Sequence, residues 1–390
     1  ADTLLRHVAA DWLPLLSQEE RAELFDPVFT KGKAWLCMAS IQNALRWCTD
    51  DFTLQQLCRF LREFVHGSKF EQLVVELGHL EKDQRQSVQL PGIVSSVTAI
   101  PELLAARFHG RTPEDLLPDP FFRAAVSAVL KSSRTKASEA QTRGAGALLG
   151  KIIRVGFAGE AAFQLLGVNE PTGDAISTHE ALLASVPDSA MPPLLSAALS
   201  LARGRLDGHM RPLGKRRPKW REIRDRVQAL CGAVAHREPC RCLLQHDLLL
   251  VRTLPPPALA TLCMGLETAG LWESTWTALG SAWQDPTRLR NSGGEAQRHL
   301  AMAILFGLEL LQRRPDAREF MDKCGLVGQL VRGVHHRLGS AILPVRQLGM
   351  RVGERLSILL DAENPLTFED VGAVPPTLDE AMADGDGEEG

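Results

Sequence analysis

The stretch ILPVRQLGMRVGERLSILL, residues 342–360, decides the fold because it combines a helix start, an apolar stripe and two interior glycines. Pro344 suits the first turn of a helix, where its missing N–H group costs nothing. Gly349 and Gly353 lie beside the stripe, and each costs about 1 kcal/mol relative to alanine inside a helix. The pattern predicts a helix whose glycine strip meets another backbone closely. The stripe consists of Val345, Leu348, Val352, Leu356 and Leu359.

The same helical spacing recurs along the chain, for example at Leu57, Phe60, Leu61 and Phe64. Only 5% of the 390 residues are aromatic, none is tyrosine, and no segment alternates like a strand, which disfavours sandwiches and barrels. About fifteen amphipathic segments joined by short loops suit a stack of helical pairs. We predict an all-α chain, an α-solenoid of degenerate HEAT-like helical hairpins spanning residues 1–361.

The order Pro344, Val345, Arg346 and a small residue at Gly349 resembles the second helix of a HEAT repeat. That resemblance implies that Arg346 pairs with an acidic residue of the adjoining repeat. A contact between Arg346 and a partner protein is the alternative.

Helix starts and polar interruptions divide the chain further. Four segments fit the capping box, beginning at Ser17, Thr53, Ser177 and Ser292, each with Glu or Gln three residues later. We predict polar loops at 131–143 and 203–224, the second a basic loop within the solenoid. Residues 362–390 are acidic and poor in apolar residues, which predicts a disordered linker.

The net charge and the cysteine content limit the classes of function that this chain can have. The net charge of −3 gives the whole molecule no electrostatic reason to bind nucleic acid or an anionic membrane. No apolar run reaches the 18 to 20 or so residues that a membrane span needs. The eight cysteines lie mostly in apolar helical patterns, which favours reduced thiols in the cytosol or nucleus.

Two segments carry residue types that could bind a nucleotide or a metal. RGAGALLGKIIR (143–154) has Ala145 and Ile152 where a phosphate-binding loop needs glycine and a hydroxyl, so a small-residue helix face is favoured. Zinc could bind the second segment, 231–246, but its spacing is not that of the common zinc fingers, so packing is favoured. We predict no cofactor and, since no nucleophile and base share a local motif, no enzyme. The second segment contains Cys231, His236, Cys240, Cys242 and His246.

A basic cluster in the loop 203–224 surrounds Trp220 and is the main candidate for binding a polyanion. The cluster could neutralise phosphates while Trp220 stacks on a base, or it could direct nuclear import. A solvated loop leading into an amphipathic helix is the preferred interpretation. Its members are Lys215, Arg216, Arg217, Lys219, Arg221 and Arg224.

The block 297–369, densest at RLGSAILPVRQLGMRVGERLS and followed by PLTFE, resembles the telomere length regulation protein family. Weaker likeness runs through 90–122, LLGKIIRVG and LLQHDLLLVRTLPPPAL. The resemblance implies two solenoids joined by an acidic linker, of which this chain looks like the first solenoid and the start of the linker.

The resemblance also implies a function. Such proteins act with two other helical-repeat subunits as a co-chaperone that delivers phosphatidylinositol-3-kinase-related kinases to the ninety-kilodalton heat-shock chaperone and its AAA-ATPase adaptor complex. In the family, linker serines phosphorylated by casein kinase two recruit the adaptor. The linker here departs from that pattern, because residues 362–390 contain no serine and Thr377 with Glu380 matches only the minimal preference of that kinase. We expect partner contacts at the basic residues Lys215, Arg216, Arg217 and Lys219, at Arg346 of the HEAT-like helix, and at Thr377, Asp379 and Glu380 of the linker.

We thus predict a non-catalytic scaffold of the cytoplasm and nucleus, also found at telomeres, that supports kinase stability and DNA-damage signalling. One alternative is a nucleic-acid-binding helical protein acting through the 203–224 loop. The other is a HEAT-type adaptor with a different client.

Overall fold

The computed structural model describes residues 15–21, 23, 26–48, 50–82, 89–134, 138–168, 176–203, 219–369, 371–372 and 375–383. Within these ranges the secondary structure is helical and contains no strand, which confirms the predicted all-α class. The chain divides into two compact units, Ala1–Leu165 with Ser177–Leu194 and Leu166–Ile176 with Leu195–Gly390. That residues 1–361 form one continuous solenoid remains a prediction.

The described part of the first unit consists of helices, and the last of them, α11 (Met191–Leu201), ends in the second unit. A 3₁₀ turn precedes α7, and a π-helical stretch at Ile153–Phe157 joins α8 to α9. The helices are α1 (Gln18–Glu20), α2 (Asp26–Thr30), α3 (Ala34–Trp47), α4 (Asp51–Val65), α5 (Lys69–Lys82), α6 (Leu90–Arg107), α7 (Pro118–Arg134), α8 (Glu139–Ile152), α9 (Ala158–Leu165), α10 (Glu180–Ser185) and α11 (Met191–Leu201).

In the first unit, α3 packs on α5 and α6, α5 packs on α7 and α8, and α8 packs on α10. The glycines of 143–154 permit this approach, since a Cβ on Gly144 would lie 2.8 Å from the carbonyl carbon of Leu77. The small-residue helix face predicted for this segment is therefore confirmed. The core of the first unit also contains a row of edge-to-face rings, formed by Phe64, Phe70, Phe121 and Phe122.

The second unit continues the same pattern of helices. Its helix α13 (Glu238–Cys242) runs into a π-helical stretch at Leu243–Val251, and α19 (Leu326–Leu338) and α20 (Leu343–Leu360) form a hairpin. The helices are α12 (Trp220–Val234), α13 (Glu238–Cys242), α14 (Pro256–Thr268), α15 (Trp272–Gln284), α16 (Pro286–Asn291), α17 (Gly294–Gln312), α18 (Ala317–Lys323), α19 (Leu326–Leu338), α20 (Leu343–Leu360) and α21 (Leu378–Met382).

In the second unit, the helices up to α20 pack on helices that lie one to four helices away along the chain. Thus α12 packs on α14, α15 on α19, α17 on α20, and α14 on α17. Nearest-neighbour packing of helical pairs is the defining feature of α-solenoids, so the predicted fold class is confirmed within each unit. The short α21, which packs on α14, is the exception because it comes from the far end of the chain.

The helix predicted at residues 342–360 is present, but its glycine strip meets another helix closely only at Gly349 and not at Gly353. It begins at Leu343, with Ile342 at the N-cap and Pro344 in the first turn. Val345, Val352 and Leu356 are buried, while Leu348 and Leu359 stay partly exposed. A Cβ on Gly349 would lie 2.8 Å from the Cβ of Arg337 on α19, which explains why glycine is retained there.

Three of the four predicted capping boxes are wrong. Ser17 and Glu20 form the reciprocal pair. Before α4, however, the Asp50 carboxylate accepts from the Thr53 N–H at 2.7 Å, so the helix starts earlier than Thr53 predicts. His179 and Gly293, rather than Ser177 and Ser292, precede α10 and α17, and neither caps its helix through a side chain.

The loop and linker boundaries also need correction. Helix α7 runs to Arg134 and α8 starts at Glu139, so most of 131–143 is helical. Likewise α12 takes up residues 220–224 of the predicted basic loop. The prediction of disorder for 362–390 does not hold at α21, where Leu378, Ala381 and Met382 are buried. Three apolar residues spaced for one helix face are sufficient to dock it.

Candidate interaction surfaces

The α19–α20 turn carries two neighbouring exposed apolar side chains in the second unit. The side chains of Ile342 and Leu343 are 61% and 42% exposed. Arg346, half-buried, donates to the Ser340 carbonyl at 3.0 Å and so ties α20 to this turn. A backbone acceptor thus takes the place of the acidic partner predicted for Arg346, because the end of α19 leaves carbonyls in need of donors. A partner contact by Arg346 stays a prediction.

Beside this turn lies an open cleft of about 1380 Å³. Its walls are α16, α17, the turn itself, the first half of α20, and the pair Pro375 and Pro376. Glu295 and His336 lie in the lining, but no hydrogen bond joins two titratable side chains of the lining in the described part of the chain. The cleft is suited to contact with a peptide or helix and assembles no acid–base pair.

Arg337, which is not among the residues predicted from the sequence, holds the wall behind the cleft together. Its guanidinium donates to the carbonyl of Trp283 at 2.7 Å, to the carbonyl of Gly333 at 3.1 Å and to Gln297 Oε1 at 2.8 Å. It also stacks over the Trp283 ring, 3.3 Å from its centroid. The residue is 1% exposed, and burial lowers the pKa of Arg337 to about 9.

A signal for this burial was present in the sequence. Leu326, Leu330 and Val334 form the apolar stripe of α19, and Arg337 occupies the next position on that stripe. An arginine on an apolar stripe is a candidate for burial against backbone carbonyls. The hydrogen bonds of Arg337 link α19 to α15 and α17.

The members of the basic cluster do not share one environment. Lys215, Arg216 and Arg217 lie outside the described residues. Lys219 is exposed and pairs with Glu222 at 2.7 Å, whereas Arg224 is 3% exposed and donates into the protein interior. A cation buried in this way is not available to phosphates. A polyanion contact by the remaining members stays a prediction.

The acidic segment at Thr377 docks as α21. The Thr377 hydroxyl accepts from the Glu380 N–H at 3.2 Å, and the Glu380 carboxylate accepts from the Thr377 N–H at 2.8 Å. Asp379 pairs with Arg313, the residue that follows α17, at 2.9 Å. The side chains of Thr377, Asp379 and Glu380, which are expected to contact partners, are exposed, yet each is engaged within the chain. Partner binding through them stays a prediction.

The candidate zinc ligands differ in how deeply they are buried. Cys231 and Cys240 are buried, and burial raises the pKa of Cys231 to about 12, which keeps the thiol protonated. Cys242 is exposed and donates to Glu238 at 3.3 Å. Across the described ranges, no three His, Cys, Asp or Glu side chains are grouped so that they could hold a metal ion. Nor is any helix there long and apolar enough to cross a bilayer.

Comparisons with known proteins point to one family. The chain is 25% identical to the Telomere length regulation protein TEL2 homolog of Homo sapiens, over 93% of this chain and 43% of that protein. The proteins of the same name from Xenopus laevis and Xenopus tropicalis are each 22% identical over 94% of this chain, and the match covers 43% and 44% of their lengths. No protein-family profile and no solved structure matches.

The chain spans less than half the length of the curated relatives it matches. The match nevertheless extends well beyond the block 297–369 that carries the resemblance in the sequence. That resemblance is therefore confirmed: along nearly its whole length, this chain is similar to the telomere length regulation proteins.

Proposed function

We propose that this chain is a protein-binding scaffold that takes part in telomere length regulation. The observation that carries the proposal is the match to telomere length regulation proteins over 93% of the chain. The helical units support it, because stacked helical pairs offer extended surfaces for other proteins. The cleft and the exposed turn at Ile342 provide one such surface in the second unit.

In its finer form, the proposal is that the chain acts with two other helical-repeat proteins as a co-chaperone in the cytoplasm and nucleus and at telomeres. It would support the folding, assembly and stability of phosphatidylinositol-3-kinase-related kinases through the ninety-kilodalton heat-shock chaperone and its adaptor complex. The family resemblance supports this, and those kinases are themselves built of helical repeats, which suits docking between stacked helices.

Affinity capture from cells tests the proposal. The tagged chain is expressed, and the newly made kinases recovered with it are quantified by mass spectrometry. We expect enrichment of the kinases and of two helical-repeat partners. Ile342→Asp should lower that recovery about tenfold if the turn is a contact hot spot. Val251→Asp is the matched control, because Val251 is 71% exposed in the same unit but does not line the cleft.

Recovery of nucleic-acid-processing proteins without any kinase would contradict the proposal. That outcome would favour the alternative built on Lys215, Arg216 and Arg217. Charge reversal at these three positions would then abolish the recovery.

A further inference from the structure

Residues 377–383 occupy a groove formed by α12, α14 and α17. Leu378, Ala381 and Met382 form the buried face of α21, at 0%, 5% and 8% exposure. These positions are three and four apart, so they lie on one side of the helix. Asp379 and Glu380 lie on the exposed side. The segment is thus a short amphipathic helix with acidic outer residues.

Arg224, which is buried, and Glu309, which is largely shielded from solvent, bind the two ends of this helix. At its start, the Leu378 N–H donates to the Glu309 carboxylate of α17 at 2.8 Å. At its end, Arg224 of α12 donates to the carbonyls of Met382 and Ala383 at 3.0 and 2.9 Å. These bonds satisfy backbone groups that a helix of any sequence leaves free at its termini.

The recognising side chains are held in place by other parts of the second unit. Arg224 also donates to the Ala202 carbonyl at 3.1 Å. Glu309 pairs with Arg355 of α20 at 3.4 Å, and its side chain is only 12% exposed. The receptor groups are therefore pre-organised, which lowers the cost of binding a ligand.

On its own, outside the groove, α21 would not be a stable helix. Five residues are too few to form a stable helix alone in water. Its outer ion pair, Asp379 with Arg313, joins side chains that are 83% and 49% exposed, and such pairs contribute little. Order in this segment thus comes from the groove, while α14 and α17 also pack on each other.

We propose that this groove is a binding site for short, acidic, N-capped amphipathic helices, and that residues 377–383 are its ligand within the same chain. A partner's helix of the same chemistry binds only after the chain's own helix leaves. Helix-in-groove recognition of this kind reads apolar residues at i, i+3 and i+4. Here the ligand pattern is Leu, Ala and Met at 378, 381 and 382, with the helix C-terminus on Arg224.

A fluorescent peptide of residues 375–383 is the probe. It is titrated into the full chain and into the full-length double variant Leu378→Asp/Met382→Asp, whose own helix is released. We expect the double variant to bind the peptide about 100-fold more tightly, as for a groove that is open about 1% of the time in the parent chain. A peptide carrying Leu378→Asp is the control and should not bind. Equal binding to both proteins, or binding to neither, overturns the proposal.

Hydrogen exchange on the variant Arg224→Met gives a second measurement if the double variant does not fold. We expect amides of 378–383 to exchange at least about tenfold faster while amides of α14 and α17 keep their protection, as for a separately opening element. The proposal is overturned if the 378–383 amides are unchanged. It is also overturned if α14 and α17 lose protection in parallel, since α21 would then be an inseparable part of the fold.

Discussion

At the scale of single residues, two glycines four positions apart in α20 have different roles. Gly349 lies against α19, where a Cβ would come 2.8 Å from the Cβ of Arg337. Around Gly353 the nearest atoms, on Val334 and Phe368, would be 3.4 and 3.7 Å away, which is ordinary contact. Only the first glycine is required by close packing.

Alanine substitution should separate these roles. Gly349→Ala forces α19 and α20 apart and should lower the free energy of unfolding by about 1–3 kcal/mol. Gly353→Ala is the matched control and should raise it by up to about 1 kcal/mol through helix propensity. Urea denaturation of each variant measures both effects. Equal losses from the two substitutions would refute the distinction.

At the scale of elements, His299 joins α17 to the segment that follows the π-helical stretch at 243–251. The Leu254 N–H donates to its Nδ1 at 3.1 Å, so the proton lies on Nε2, which donates to the Leu249 carbonyl at 3.0 Å. This arrangement requires the neutral ring. Burial accordingly lowers the pKa of His299 below its ordinary value.

The stability of this junction should depend on pH. Below about pH 6.5 the unfolded chain protonates His299 while the folded chain does not, so the free energy of unfolding falls as pH falls. One such group contributes at most about 1.4 kcal/mol per pH unit, until the pH reaches the lowered pKa. Above about pH 6.5 the contribution is constant.

His299→Gln provides the comparison, because an amide can make both hydrogen bonds but does not titrate. We expect the urea midpoint of this variant to fall less between pH 7.5 and pH 5 than that of the parent chain. An equal fall in both would show that His299 does not carry the pH dependence.

At the scale of the whole molecule, a substitution in one helical pair can lower the stability of that pair alone or of the whole chain. The described contacts of Arg337 all lie within the second unit. In stacked helical pairs, stability is close to a sum of neighbouring terms. A defect at Arg337 should therefore remain local.

Arg337→Ala tests this expectation. The loss of its hydrogen bonds and stacking should lower the free energy of unfolding of the second unit by about 3 kcal/mol. In hydrogen exchange, amides of α15, α17 and α19 should exchange faster while those of the first unit stay unchanged. Arg332→Ala, an exposed position on the same helix, should cost no more than about 0.5 kcal/mol. Faster exchange throughout the chain would contradict local stability.

The sequence by itself determined the helical class, the course of helix 342–360 and the family resemblance, because apolar periodicity, proline at a helix start and local motifs depend on neighbouring residues. Only the tertiary structure decided that Arg337 and Arg224 are buried, that Arg346 bonds to backbone, and that α21 docks on α12, α14 and α17. The local sequence pattern around an arginine does not reveal whether its charged side chain is exposed or buried. Whether it faces water or a set of carbonyls depends on residues up to 159 positions away, which no local pattern contains.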